Sequence, residues 1–207
     1  MARAFSDGGG SGTVTISNNQ IIENTGNRGG AIYSPNSGGT LNITNNIMHG
    51  NSVSGNSMNG AALWLETRTP NLTVTGNSIT GHSGNSLIYV HCAEDNCSYF
   101  PYTPIVNNNN LLNNNTTYWL YNNHEDGSDT VNAENNWWGT TSDVEIQAKV
   151  YDWNDNATLG LVDYTPFLTS PNTTAPPSPP ANVAAQTGPT TISLTWDANP
   201  ESDIIGY

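Results

Sequence analysis

A short asparagine-centred unit recurs five times along this chain, and its spacing leaves few folds open. Thr13-Val14-Thr15-Ile16-Ser17-Asn18-Asn19 is answered by Thr40-Leu41-Asn42-Ile43-Thr44-Asn45-Asn46 and again by Leu72-Thr73-Val74-Thr75-Gly76-Asn77. Ile105-Val106-Asn107-Asn108-Asn109 and the degenerate Val131-Asn132-Ala133-Glu134-Asn135-Asn136 follow. The last residues of these units, Asn19, Asn46, Asn77, Asn109 and Asn136, are separated by 27, 31, 32 and 27 residues. A period in the range of about 20–50 residues is the mark of a solenoid or array.

Element type decides which solenoid. A second apolar segment lies between the units: Ala31-Ile32-Tyr33, Ala62-Leu63-Trp64-Leu65, Leu87-Ile88-Tyr89-Val90 and Tyr118-Trp119-Leu120-Tyr121. All these segments are short, and pairs such as Val14/Ile16 and Leu41/Ile43 alternate as strands do. Helical repeats need longer elements, and propeller blades pack about four strands into roughly 40–45 residues. Two clear strands per repeat, with room for a third, predict one coil of a parallel β-helix. Stacked coils bring the same position of each repeat into a column at the ~4.8 Å strand spacing. Asn19, Asn46, Asn77, Asn109 and Asn136 are thus expected to form a structural ladder, amide upon amide, at a turn that tolerates left-handed backbone angles.

The composition agrees. Only 35% of the 207 residues are hydrophobic and 10% charged, while 32 are Asn and 20 Gly. A solenoid buries a thin core and spends Asn and Gly at every turn. Four Lys+Arg against 17 Asp+Glu give a net charge of −13. That excludes nucleic acid as a partner, since phosphate binding requires a basic stripe, and it opposes attraction to anionic membranes. No run approaches the ~18 apolar residues of a membrane-spanning helix, so no membrane insertion is expected.

The Asn-Asn repeat units resemble those of the right-handed parallel β-helix proteins, the superfamily that includes the pectate lyases, over about residues 4–168. The resemblance implies an all-β, right-handed parallel β-helix solenoid. The family holds lyases, hydrolases, epimerases, adhesins and proteins with no known activity, so it implies little about chemistry. Ala4-Phe5-Ser6 and the glycines after it align with Ala31-Ile32-Tyr33 at an offset of 27. This predicts that the chain begins inside a coil, with no signal peptide in the sequence. At the other end, Ser142-Asp143-Val144-Glu145 is a capping box. Ile146 and Val150 would share a face of a helix of about eight residues, and Gly160–Leu168 would add a last strand ended by proline. Asn135-Asn136-Trp137-Trp138-Gly139 before this cap resembles the ending of many bacterial extracellular β-helix proteins.

The predicted organisation is therefore a β-helix with its cap over 1–168, a proline-rich linker over 169–180, and a third segment over 181–207. There Val183, Thr191-Ile192-Ser193-Leu194-Thr195 and Trp196 resemble the first two strands of a fibronectin type III domain. Such a sandwich has about seven strands, so this segment is an incomplete one and the chain reads as a monomeric module of a longer protein.

The residues with chemical potential are few. Cys92 and Cys97 are the only cysteines. They read as a loop disulfide of an exported protein, with free thiols, or a metal site shared with His91 and either Asp95 or Glu94, as alternatives. Asp152, Asn154, Asn156 and Asp163 offer oxygens for calcium in an EF-hand-like spacing, although Ala157 stands where the turn glycine belongs. The acidic loop 122–129 is a second calcium candidate. No other cofactor is indicated. Trp64, Tyr89, Trp119 and Tyr121 are candidates for stacking against sugar rings, with Trp119 and Tyr121 expected on one face. Lyase chemistry in the family implies a carboxylate-held calcium and an arginine, but Arg28 and Arg68 lie in turn-like segments. Hydrolase chemistry needs paired carboxylates, and Glu66 and Asp95 are not placed as a pair. The expected function is a non-catalytic, secreted or cell-surface module that binds a polysaccharide or cell-surface glycan, or adheres. The alternative is a fragment of a polysaccharide lyase or glycoside hydrolase whose active coils lie outside this chain.

Overall fold

The computed structural model describes residues 2–3, 12–35, 39–54, 59–66, 71–92, 103–124, 130–199, 201 and 204. Three parallel sheets run the length of the repeat region. Sheet I joins β1 (Ala2–Arg3), β5 (Ile32–Ser34), β9 (Leu63–Glu66), β12 (Ser83–His91), β15 (Asn115–Asn123) and β17 (Val150–Tyr151). Sheet II joins β2 (Thr13–Ser17), β6 (Thr40–Thr44), β10 (Asn71–Thr75), β13 (Ile105–Asn107), β16 (Val131–Asn132) and β18 (Val162–Asp163). Sheet III joins β3 (Gln20–Ile22), β7 (Ile47–His49), β11 (Ser78–Thr80) and β14 (Asn110–Leu112). The short β4 (Thr25–Gly26) and β8 (Ser52–Val53) lead toward sheet I. Each coil passes from sheet II to III to I, and every pairing between coils is parallel. The fold is a parallel β-helix.

Alternation assigns the interior. Leu41 and Ile43, Leu72 and Val74, Met48, Ile79, Ile32, Leu63, Leu65 and Ile88 are all buried in one aliphatic column. Parallel pairing stacks like on like: Val74 lies beside Ile43 and Val106, and Ile79 beside Met48 and Leu111.

Two corners carry the asparagines. At the corner between sheets II and III, the first residue takes the left-handed conformation: Asn18, Asn45, Gly76, Asn108 and Asn135 have φ between 55° and 66°. The second residue turns its amide inward. The Oδ1 of Asn46 accepts from the backbone N–H of Asn19 at 3.0 Å and from its Nδ2 at 3.1 Å. Asn77 receives the same pair from Asn46, Asn109 from Asn77, and Asn136 from Asn109. Asn46, Asn77, Asn109 and Asn136 are wholly buried, while Asn19 is exposed. The dipeptide thus divides its labour: the first residue makes the turn, and the second fills the core with satisfied hydrogen bonds.

The corner after sheet III repeats this arrangement. Glu23, Gly50, Gly81 and Asn113 have positive φ, and Asn24, Asn51, His82 and Asn114 follow them. Asn51 Oδ1 accepts from Asn24 N–H at 2.9 Å, and Asn114 Oδ1 accepts from His82 N–H at 3.0 Å. In one coil an imidazole replaces the amide.

Coils also meet at Gly30, where a Cβ would run into the backbone carbonyl oxygens of Ala61 and Ser52. Neither carbonyl can retreat without breaking the stack. Gly30→Ala should therefore lower stability by about 2 kcal/mol through overpacking, read as a lower urea midpoint with an unchanged slope. An unchanged midpoint would show that the coils are not in contact there.

The ends depart from sequence expectation in three places. Ala2 and Arg3 pair with Ile32 and Tyr33, an offset of 30 rather than the expected 27; Ala4, Phe5 and Ser6 lie outside the described residues. Loops between sheets I and II vary in length, so corner spacing does not fix register in sheet I. The cap helix α1 spans Asp143–Ala148 with Ser142 as its N-cap, and Val150 already belongs to β17. Glu145 N–H donates to Ser142 Oγ at 3.3 Å, but the Glu145 carboxylate accepts from Thr140 rather than closing the box. Of Gly160–Leu168, only Val162–Asp163 is strand.

Residues 169–180 do not form a free tether. Asn110 and Asn172 exchange a pair of hydrogen bonds, Asn172 Nδ2 donates to Asn108 O at 2.6 Å, and Ser78 Oγ donates to Pro176 O. Beyond them β19 (Ala181–Thr187) and β20 (Ile192–Asp197) form an antiparallel hairpin whose residues are exposed throughout, Trp196 included.

Candidate functional site: an aromatic row on the outside of sheet I

Sheet I carries an aromatic residue at one position of every coil from β5 to β17. Ile32, Leu63, Ile88, Leu120 and Val150 point into the core, so the next residue of each strand faces outward. Those residues are Tyr33, Trp64, Tyr89, Tyr121 and Tyr151, each paired in register with the one before it. Successive ring centroids are 6.5, 4.5, 5.1 and 4.6 Å apart, with the planes steeply inclined. These are the distances at which edge-to-face aromatic pairs attract. Tyr118 extends the row at one end, 5.0 Å from Tyr151 and 6.0 Å from Tyr121. Arg28 closes the other, its guanidinium 5.0 Å from the Trp64 ring and 5.9 Å from Tyr33. Trp64 and Tyr89 are 6% exposed, whereas Tyr33, Tyr118, Tyr121 and Tyr151 are half-buried and accessible.

A polar rank lies two residues further along the strands. Glu66, His91 and Asn123 pair side by side across three coils. Glu66 Oε1 accepts from the Trp64 indole N–H at 2.8 Å. The His91 ring stacks on Tyr89 at 5.5 Å, and its Nδ1 is 3.3 Å from Asn123 Nδ2. Outside sheet I, then, rings and hydrogen-bonding side chains run in adjacent parallel lines.

Three of the four predicted stacking residues, Trp64, Tyr89 and Tyr121, meet in this row. Trp119 does not. Strand alternation breaks where β15 rounds a corner, and Trp119 turns into the core cluster to stack on Trp138 at 6.1 Å. It does not share a face with Tyr121.

The other candidates divide as follows. Cys92 is disulfide-bonded; Cys97, the sequence's other cysteine, lies outside the described residues, as do Glu94, Asp95 and Arg68. Asp152 is buried, and its carboxylate is used by the chain: Oδ1 accepts from Asn154 N–H at 2.9 Å and Oδ2 from Val162 N–H at 2.8 Å. Asn156 and Asp163 each hold a threonine two residues on, Thr158 and Thr165. These oxygens build turns, and no group of three or more His, Cys, Asp or Glu that could hold a metal occurs among the described residues. Residues 125–129 of the second acidic loop lie outside them. Nearby, burial and then the hydrogen bond to Asp143 push the Tyr164 hydroxyl up to about 12. Among the described residues no helix is long and apolar enough to cross a membrane.

Comparison with family models, with curated proteins and with solved structures finds no match.

Proposed function

We propose that this chain is a non-catalytic β-helix module, extracellular or on a cell surface, that binds a neutral glycan along the outside of sheet I. One observation carries the reading: the row from Tyr33 to Tyr151 stands on the outer face of a sheet whose core is already filled by aliphatic side chains. An aromatic row there is not needed to close the core. Flat rings stack on the C–H faces of sugars, and the adjoining His91 and Asn123 can hydrogen-bond hydroxyls, the combination of apolar lining and few polar groups typical of ligand sites. The −13 charge disfavours polyanionic chains such as polygalacturonate. The disulfide at Cys92 fits an oxidising compartment. The hairpin of β19 and β20 is read as the opening of a fibronectin type III module, which suits a modular surface protein.

Electrophoresis through gels containing glucomannan, mixed-linkage β-glucan, galactan or polygalacturonate tests the reading. At least one neutral polymer should retard the protein, and polygalacturonate should not. Tyr121→Ala combined with Tyr151→Ala should weaken that retardation at least tenfold, while Trp153→Ala, exposed and outside the row, should leave it unchanged. Retardation by polygalacturonate alone, or equal binding by the double variant, would overturn the proposal.

A further inference from the structure

Seven asparagines of this chain stand two residues before a serine or threonine with no proline between them, the acceptor pattern for an N-linked glycan. In a chain with 32 asparagines the pattern alone selects nothing. The fold does select. Asn96 lies outside the described residues; the other six are Asn42, Asn71, Asn114, Asn115, Asn156 and Asn172.

An acceptor amide must offer an accessible Nδ2, because that nitrogen bonds to the sugar. Asn114 cannot: its Nδ2 donates to Ile79 O at 2.9 Å and its Oδ1 accepts from His82 N–H, so a glycan would break the corner after sheet III. Asn172 cannot: its Nδ2 donates to Asn108 O at 2.6 Å, where residues 169–180 meet the β-helix. Asn42, Asn71 and Asn115 belong to strands β6, β10 and β15. Residues two apart along a strand are separated by about 7 Å, and none of these three amides bonds the hydroxyl of its own motif.

Asn156 meets every requirement. It lies between β17 and β18 in the cap, in a loop whose residues 153–158 are all exposed. Its Oδ1 accepts from Thr158 N–H at 3.1 Å and from Thr158 Oγ1 at 3.0 Å. Its Nδ2 makes no hydrogen bond with any described residue. Asn172 holds Thr174 in the same way, so the turn and a free nitrogen coincide at Asn156 alone among the described motifs. The turn bears on reactivity. An amide nitrogen becomes nucleophilic as it gives up a proton and charge moves onto its oxygen. Two donors already aimed at Oδ1 stabilise that charge, as donors do at a developing oxyanion.

We propose that Asn156, singled out by the fold, is the acceptor of an N-linked glycan. In the cell this rests on the extracellular reading given above, since such glycans are added to exported chains. The co-substrate is an oligosaccharide carried on a lipid pyrophosphate. Nδ2 forms a bond to the anomeric carbon of the first sugar while the bond from that carbon to the phosphate oxygen breaks. The lipid pyrophosphate leaves with the electron pair, and Nδ2 gives one proton to a base of the transferring enzyme.

The folded full chain can be incubated with a purified single-subunit oligosaccharyltransferase and lipid-pyrophosphate-linked chitobiose, with occupancy read site by site by peptide mass mapping. Because the reaction runs outside cells, it reports on Asn156 whether or not the chain is exported, so failure of this site and failure of the extracellular reading are told apart. Asn156 should be occupied at least tenfold more than any of the other five. Thr158→Ser should keep the modification, and Asn156→Gln should leave the chain essentially unmodified. In a protease digest of the same chain, where strands and turns are gone, Asn42, Asn71 and Asn115 should become acceptors and the preference for Asn156 should fall below tenfold. Three results would overturn the proposal: an unmodified Asn156 in the folded chain; another of the five occupied equally; or the same preference in the digest, which would make local sequence rather than the fold the selector.

Discussion

Asn77→Ala should cost this protein about 4 kcal/mol, a large share of the ~5–15 kcal/mol that holds a typical domain folded. Asn77 sits in the middle of the corner ladder and is wholly buried. Its Oδ1 receives Asn46 N–H at 2.9 Å and Nδ2 at 3.0 Å. Its own Nδ2 is shared between Asn109 Oδ1, Ile43 O and Thr75 O at 2.9–3.1 Å. Alanine removes all of these at once and leaves the Asn46 N–H buried without an acceptor, at a cost of about 1–3 kcal/mol for that group alone. Lost bonds of about 1 kcal/mol each and the void left by the amide supply the rest. Asn19→Ala removes a rung of the same ladder at its exposed end, where water can replace the amide, and should cost under about 1 kcal/mol. Urea unfolding of the two variants measures the contrast. Equal losses would mean that the ladder contributes turn geometry alone. Asn77→Asp should be at least as damaging as alanine at neutral pH, because a carboxylate would turn an acceptor toward three acceptors.

The ladder was legible in the sequence because its chemistry demands a particular residue at every coil. Asparagine carries an amide that donates and accepts on the shortest possible stem, and few residues tolerate the left-handed position before it. The second ladder hid for the same physical reason turned round. Its first position is filled by Glu23, Gly50, Gly81 and Asn113, and its second includes His82, so no repeated dipeptide announces it. Only its offsets betray it: the steps of 27, 31 and 32 residues from Asn24 to Asn51, His82 and Asn114 match those of the first ladder.

The aromatic row was half legible. An aliphatic–aromatic pair recurs as Ile32-Tyr33, Leu63-Trp64, Ile88-Tyr89, Leu120-Tyr121 and Val150-Tyr151. Strand alternation then puts one member inside and the other outside. Trp119 confuses the pattern because alternation lapses at a corner, which a strand period cannot reveal. Val150 was hidden inside a helical spacing, since Ile146 and Val150 are four apart; yet Lys149 at the C-cap ends the helix and Val150 joins sheet I. Sheet register was the least legible property. Loops between sheets I and II absorb insertions without disturbing the core, so the 27-residue corner offset does not carry over to β1 and β5.

His82→Asn should abolish a specific part of the protein's acid sensitivity. His82 takes an asparagine's place in the second ladder and is wholly buried. Its Nδ1 lies 3.1 Å from Asn51 O and its Nε2 3.0 Å from Met48 O. A neutral ring can donate to one of these carbonyls, and an imidazolium could donate to both. Burial outweighs that gain. It is the largest influence on the ring and, with the nearby His49 adding a smaller push in the same direction, holds the pKa down to about 4 from 6.5. The sign of the effect follows. Between pH 6.5 and 4 the unfolded chain takes up a proton that the folded chain refuses, so the unfolded state gains and stability falls as pH falls. At about 1.4 kcal/mol per unit of pKa difference, roughly 3 kcal/mol is present above pH 6.5 and gone by pH 4. The 17 acidic side chains titrate over part of the same range, so the informative quantity is the difference between wild type and His82→Asn. Asparagine fits the corner that Asn51 and Asn114 occupy in neighbouring coils. The variant should match the wild type within about 1 kcal/mol at pH 8 and exceed it by roughly 3 kcal/mol at pH 4. Parallel stability curves from pH 8 to pH 4 would show that the imidazole is not held neutral in the ladder. A shift of the ring's own NMR titration to a value above 6.5 would show that the two carbonyls, rather than burial, govern its charge.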